Sequence, residues 1–97
     1  MAYRAAVCDD RPQDAAFVCG ILEQWAAARD IPLQCSCFAS ADAFLFQYAE
    51  DKSFDLLLLD VEMPGTDGVT LAHRVRQENE AVQIVFITGY SDYIAEG

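Results

Sequence analysis

Positive charge is scarce in this 97-residue chain. Six lysines and arginines stand against sixteen aspartates and glutamates, for a formal net charge of −10. Nucleic-acid surfaces need clustered Lys and Arg, so this balance argues against such a surface on this chain. Histidine is rarer still: His73 stands alone and reads as a solvated helix residue among Arg74 and Arg76. No C-x-x-C pair occurs among Cys8, Cys19, Cys35 and Cys37. The expectation is therefore neither a zinc site nor a disulfide framework, with the cysteines packed as small buried hydrophobes. No apolar run approaches a membrane span, and Met1-Ala-Tyr-Arg4 lacks a signal-peptide layout. The chain is read as cytoplasmic, with no membrane partner.

Apolar residues are plentiful, at 54% of the chain, enough for one domain with a real core. Tyr3–Cys8 is a short apolar run closed by Asp9 and Asp10, as expected of a buried strand. Pro12 suits the first turn of a helix over Gln13–Arg29, where Phe17, Ile21 and Trp25 recur every four residues and are expected to face inward. Asp30-Ile31-Pro32 ends it. Leu33–Phe38 alternates as a second strand, and Ser40 is placed to cap a helix through Ala49 with Phe44, Leu45 and Tyr48 on one side. Leu56–Asp60 is apolar at successive positions, the pattern of a strand covered on both faces. After a loop over Met63–Asp67, Gly68–Asn79 reads as a helix with Leu71, Ala72 and Val75 inward, capped by Asp67. Gln83–Thr88 is a fourth apolar strand. The alternation predicts an α/β fold with a parallel sheet and right-handed crossovers.

In such sheets ligands bind beyond the carboxyl ends of the strands. Asp9 and Asp10 follow the first strand, Asp60 ends the third and Thr88 the fourth. If the first and third strands are neighbours, these groups meet at one edge. Carboxylates within a few ångströms repel by about 4 kcal/mol per close pair at an effective dielectric near 20. A hard divalent cation relieves this, and Mg2+ takes one or two carboxylates, a backbone carbonyl and waters. With metal present, Asp60 could attack phosphorus and form an aspartyl phosphate, with the Thr88 hydroxyl donating to a phosphoryl oxygen. Helix N-capping is the simpler alternative for Asp9 and Asp10.

The residues Asp9-Asp10, then Asp60-Val61-Glu62-Met63-Pro64-Gly65-Thr66-Asp67-Gly68 and then Thr88 resemble the receiver domain of two-component response regulators, whose loop reads D-x-x-M-P-x-x-D-G. The resemblance covers nearly the whole chain. It implies a flavodoxin-like open parallel sheet of order 2-1-3-4-5 and a phosphoacceptor in place of an enzyme. Asp60 would take the phosphoryl group from a histidine kinase. Asp10 would bind Mg2+ directly, Asp9 mainly through water, and the backbone carbonyl of Glu62 would be a further ligand. Thr88 would be the switch hydroxyl, with Met63, Pro64, Gly65 and Gly68 shaping the loop.

The family pattern runs to about 120 residues. The expectation is thus a receiver that stops before its fifth strand, with no counterpart of the lysine that contacts the phosphoryl group, since Lys52 precedes the third strand. The fourth strand, Gln83–Thr88, would then be an unguarded edge through which the chain self-associates. The tail Phe86–Gly97 and the run Cys37-Phe-x-Ser-x-x-x-Phe-Leu45 are similar to receivers joined to LytTR-type domains, which implies DNA contact only through an output domain. Two other readings stay open. One is a Mg-dependent phosphatase using an aspartyl phosphate, although Asp60-Val61-Glu62 departs from the D-x-D of the haloacid dehalogenase type. The other is a receiver-like interaction module that is not phosphorylated.

Overall fold

The computed structural model describes residues 2–63 and 65–87. The elements alternate as β1 (Tyr3–Cys8), α1 (Pro12–Ala28), β2 (Leu33–Phe38), α2 (Ala41–Glu50), β3 (Leu56–Asp60), α3 (Gly68–Glu78) and β4 (Gln83–Ile87). The strands form one parallel sheet of order β2-β1-β3-β4. This is the parallel α/β sheet expected from the alternation, in the flavodoxin-like strand order that the resemblance implies. Pro64 and residues 88–97 lie outside the described residues, and with them Thr88 and the loop expected after β4.

The unbroken apolar runs of the inner strands follow from a sheet covered on both faces. In β1, Ala5 and Val7 face α1, whereas Ala6 and Cys8 join the core beneath α2 and α3. In β3, Leu58 sides with α1, and Leu57 and Leu59 with α2 and α3. Strand alternation thus feeds two cores from one apolar string. They are unequal. The α2/α3 side holds Phe44, Tyr48, Phe54, Leu71 and Val75. The cluster on the α1 side is smaller, made of Ala5, Val7, Ala15, Cys19 and Leu58, with Ala26 of the helix also buried.

That inequality corrects the expected face of α1. Phe17 is 69% exposed and Trp25 49%, with Ile21 also on the outer face. The helix instead seats Ala15, Cys19 and Ala26 on the sheet, with Leu22 partly buried beside them. Positions 15, 19, 22 and 26 share one helical face as well as 17, 21 and 25 do. Small side chains let the helix axis come close to the strands, so size alone does not decide which stripe goes in. The guanidinium of Arg29 lies 4.5 Å from the centre of the half-exposed Trp25 ring.

Caps fix the helix starts that frame the acidic edge. Ser40 accepts a hydrogen bond from the Ala43 N–H at 3.0 Å, and Asp67 accepts from the Thr70 N–H at 2.8 Å. Pro12 sits in the first turn of α1. Its other end closes on Asp30 at φ 55°, where the N–H of Ile31 reaches back to the Ala26 carbonyl. Among the described residues, no helix is long and apolar enough to cross a membrane.

Candidate metal centre

The register of the sheet decides where the acids meet. β1 pairs with β3 so that Cys8 lies opposite Leu59. The residues that follow, Asp9 on one strand and Asp60 on the other, therefore emerge side by side at the carboxyl edge. The Asp9 N–H donates to the Phe38 carbonyl at 3.0 Å, which extends the β1–β2 ladder by one step and holds Asp9 in the sheet. The Val61 N–H donates to the Ile87 carbonyl at 3.1 Å and does the same for Asp60 against β4.

Asp9, Asp10 and Asp60 each bring one carboxylate oxygen within 4.8 Å of the other two. Asp9 is buried, Asp60 partly buried and Asp10 exposed. Neither Asp9 nor Asp10 caps α1: its N-cap is Arg11, without a side-chain hydrogen bond. Asp9 Oδ1 instead accepts the Arg11 N–H at 2.9 Å, a turn that aims the rest of the carboxylate at the edge. Asp60 Oδ1 accepts the Glu62 N–H at 3.2 Å.

Burial holds the Asp60 carboxyl above its ordinary range. The Glu62 N–H opposes this, and the like charges of Asp9 and Asp10 add to it. Among the described residues, no ion pair involves any of the three acids. Mg–O bonds of about 2.1 Å put opposite ligands about 4.2 Å apart, so a spread of under 4.8 Å needs little side-chain movement to close on one cation. The cluster could hold a metal ion.

The loop after Asp60 is shaped by two glycines. Gly65 takes φ +78°, a conformation that side chains disfavour. A Cβ on Gly68 would overlap the Asp60 carbonyl oxygen. The start of α3 therefore packs directly against the backbone that carries Asp60. Ahead of both glycines, Met63 is buried in the α2/α3 core and anchors the loop. The Glu62 side chain is exposed, consistent with only its backbone facing the edge. Lys52 lies at the other end of β3, 3.9 Å from Glu78 and over the Tyr48 ring, far from the acids.

The cysteines overturn the expectation drawn from their spacing. Cys19 and Cys35 form a disulfide, with their Cα atoms 6.1 Å apart. Cys37 is free and exposed, with its sulfur 3.1 Å from that of Cys19. Only Cys8 is the buried hydrophobe expected, and burial, then Cys37, push its thiol up to about 12. The missed signal is C-x-C on a strand, which turns both sulfurs to one face. Which helix residue meets them is set by how α1 crosses β2, and sequence spacing does not record that.

An open parallel sheet with carboxylates from two neighbouring strands at its carboxyl edge defines a doubly wound α/β protein with an acidic edge that could hold a cation. The comparisons narrow the class. Residues 6–96 match the response regulator receiver domain, and the chain belongs to that family. An uncharacterised response regulatory protein of Vibrio cholerae is 32% identical over 92 residues, covering 94% of this chain and 33% of that protein. The response regulator protein TmoT of Ectopseudomonas mendocina is 36% identical over 64 residues, 66% of this chain and 29% of that protein. The chain thus spans a third or less of the length of these relatives. Among solved structures, the response regulator TrrA of Thermotoga maritima, in complex with Mg2+ and beryllofluoride, superposes with a TM-score of 0.78. It is 24% identical, over 97% of this chain and 76% of that one. The Vibrio cholerae chemotaxis protein CheY4 superposes at 0.73 with 19% identity, over 100% of this chain and 78% of that one. These likenesses establish the fold.

Proposed function

We propose that this receiver accepts a phosphoryl group on Asp60 from a histidine kinase. The observation that carries the reading is the convergence of Asp9, Asp10 and Asp60 at the carboxyl edge. Asp60 is the member that ends a strand, is partly buried and is held by the Glu62 N–H. In the transfer, an Asp60 carboxylate oxygen attacks phosphorus. The new O–P bond forms as the P–N bond to the donor imidazole breaks, and the electron pair leaves on nitrogen.

Asp10 and Asp9 would hold Mg2+, Asp9 mainly through water, and the Glu62 carbonyl would complete the protein ligands. When bound, the ion would supply charge neutralisation and orient the phosphoryl oxygens. Thr88, next after the described end of β4, would follow the phosphoryl group as the switch hydroxyl, with Pro64 shaping the loop. The signal would pass to an output domain of LytTR type that contacts DNA, in the cytoplasm. Support comes from the family match, and from the Mg2+ and beryllofluoride that TrrA, of the same fold, binds.

The test is incorporation of label from a radiolabelled small phosphodonor in the presence of Mg2+. Labelling of wild type that is lost on chelation and in Asp60→Asn is the expected result. Persistent labelling of Asp60→Asn would remove Asp60 from its role.

A further inference from the structure

Nothing in the phosphoacceptor reading uses the three cysteines around α1. Cys35 and Cys37 are alternate residues of β2, so both sulfurs point to the face that α1 covers. Cys19 comes from the buried face of α1 and meets them there. One of the two strand sulfurs is bonded to Cys19, and the other rests 3.1 Å from it. The geometry points to a thiol–disulfide exchange site in which Cys19 alternates between Cys35 and Cys37 as its bonded partner.

The step is redox-neutral. Cys37 loses its proton and attacks Cys19 Sγ. The Cys19–Cys37 bond forms as the Cys19–Cys35 bond breaks, and the electron pair leaves on Cys35 Sγ, which takes up a proton. No oxidant or reductant is consumed. Cys8 is not a competitor, since its side chain sits in the α2/α3 core on the other side of the sheet.

The two bonded states differ in where α1 is tied to β2. A bond at Cys35 holds the helix to the middle of the strand, and a bond at Cys37 holds it next to Phe38. The Phe38 carbonyl accepts the Asp9 N–H, and Cys37 shares with Asp9, Pro12 and Ala15 a cavity of about 250 Å³. Exchange therefore moves a covalent tether from mid-strand to the border of the acidic edge.

The experiment is positional labelling of the folded, oxidised chain. The protein is held in a glutathione redox buffer without denaturant, quenched in acid and treated with N-ethylmaleimide, and the labelled cysteine is located by fragment-ion mass spectrometry. Two positional isomers are expected, one labelled at Cys37 and one at Cys35, with Cys8 unlabelled as the mark of a native fold. Cys35→Ser, in the same buffer, should form the Cys19–Cys37 bond. Label confined to Cys37 in wild type, or both Cys19 and Cys37 labelled in a folded Cys35→Ser protein, would overturn the proposal.

Discussion

Gly68 and Asp60 touch through their backbones: the first residue of α3 lies where any Cβ would strike the carbonyl of the last residue of β3. The Gly68 N–H also donates to the Val61 carbonyl at 3.2 Å, which locks the approach. The obstacle is main chain and cannot rotate away. Gly68→Ala should therefore cost about 1–3 kcal/mol, as overpacked sites do, despite the better helix propensity of alanine. It should also weaken Mg2+ binding by displacing the Asp60 backbone. Urea unfolding and a Mg2+ titration check both effects, and a wild-type midpoint would show that the loop yields freely.

Asp60 should make the metal-free protein pH-sensitive. Burial and then the charges of Asp9 and Asp10 raise its carboxyl, so the folded state holds that proton more tightly than the unfolded chain does. The resulting stabilisation is fully present below the ordinary carboxylate value near 4 and is lost as pH rises through the raised value. In chelator, Asp60→Asn should melt higher than wild type at neutral pH, and the gap should close as pH falls below about 4. Mg2+ should raise the wild-type Tm and shift that of the variant much less. Thermal melts across this pH range, with chelator and then with Mg2+, decide the matter. A variant that melts below wild type at neutral pH in chelator would contradict the electrostatic account.

Tyr48 is 2% exposed, and its hydroxyl has no hydrogen-bond partner among the described residues. A buried orphan hydroxyl costs about 1–3 kcal/mol, while the ring is needed for its stack on Phe44. Tyr48→Phe keeps the ring and removes the orphan. It should stabilise the protein by about 1 kcal/mol, which for a domain of this size raises Tm by roughly 4–8 °C. Calorimetry provides the check, and a lower Tm would mean that the hydroxyl has a partner after all.

At the edge of the described sheet, β4 exposes Val85 at 46% and Phe86 at 48%. An apolar edge strand without a charge invites pairing with another chain. Wild type should gain mass with concentration in sedimentation velocity, and Phe86→Lys should abolish the gain. A wild type that stays monomeric at high concentration would refute self-association through this strand.

Much of this was legible in the residues alone. Continuous apolar runs closed by acids marked β1 and β3, and the rule that sites lie beyond strand carboxyl ends brought Asp9, Asp10 and Asp60 together. Ser40 and Asp67 announced their helices because capping is local. What stayed hidden was tertiary. The outward turn of Phe17, Ile21 and Trp25 depends on how closely α1 can approach the sheet. The Cys19–Cys35 bond depends on a crossing that no spacing encodes, and the backbone contact at Gly68 depends on where α3 lands.

The lopsided interior gives the molecule a firm side and a yielding one. On one side, large rings and branched chains interlock with β1 and β3. On the other, α1 rests on alanines, a cysteine and the half-buried Val18 and Leu22, and one covalent thread ties it to β2. Breathing should therefore begin at α1, and severing that thread should speed proton–deuteron trading along its amides well before β3 is disturbed. The first helix would then respond to the thiol balance of its surroundings, while the scaffold beneath Asp60 stayed in place.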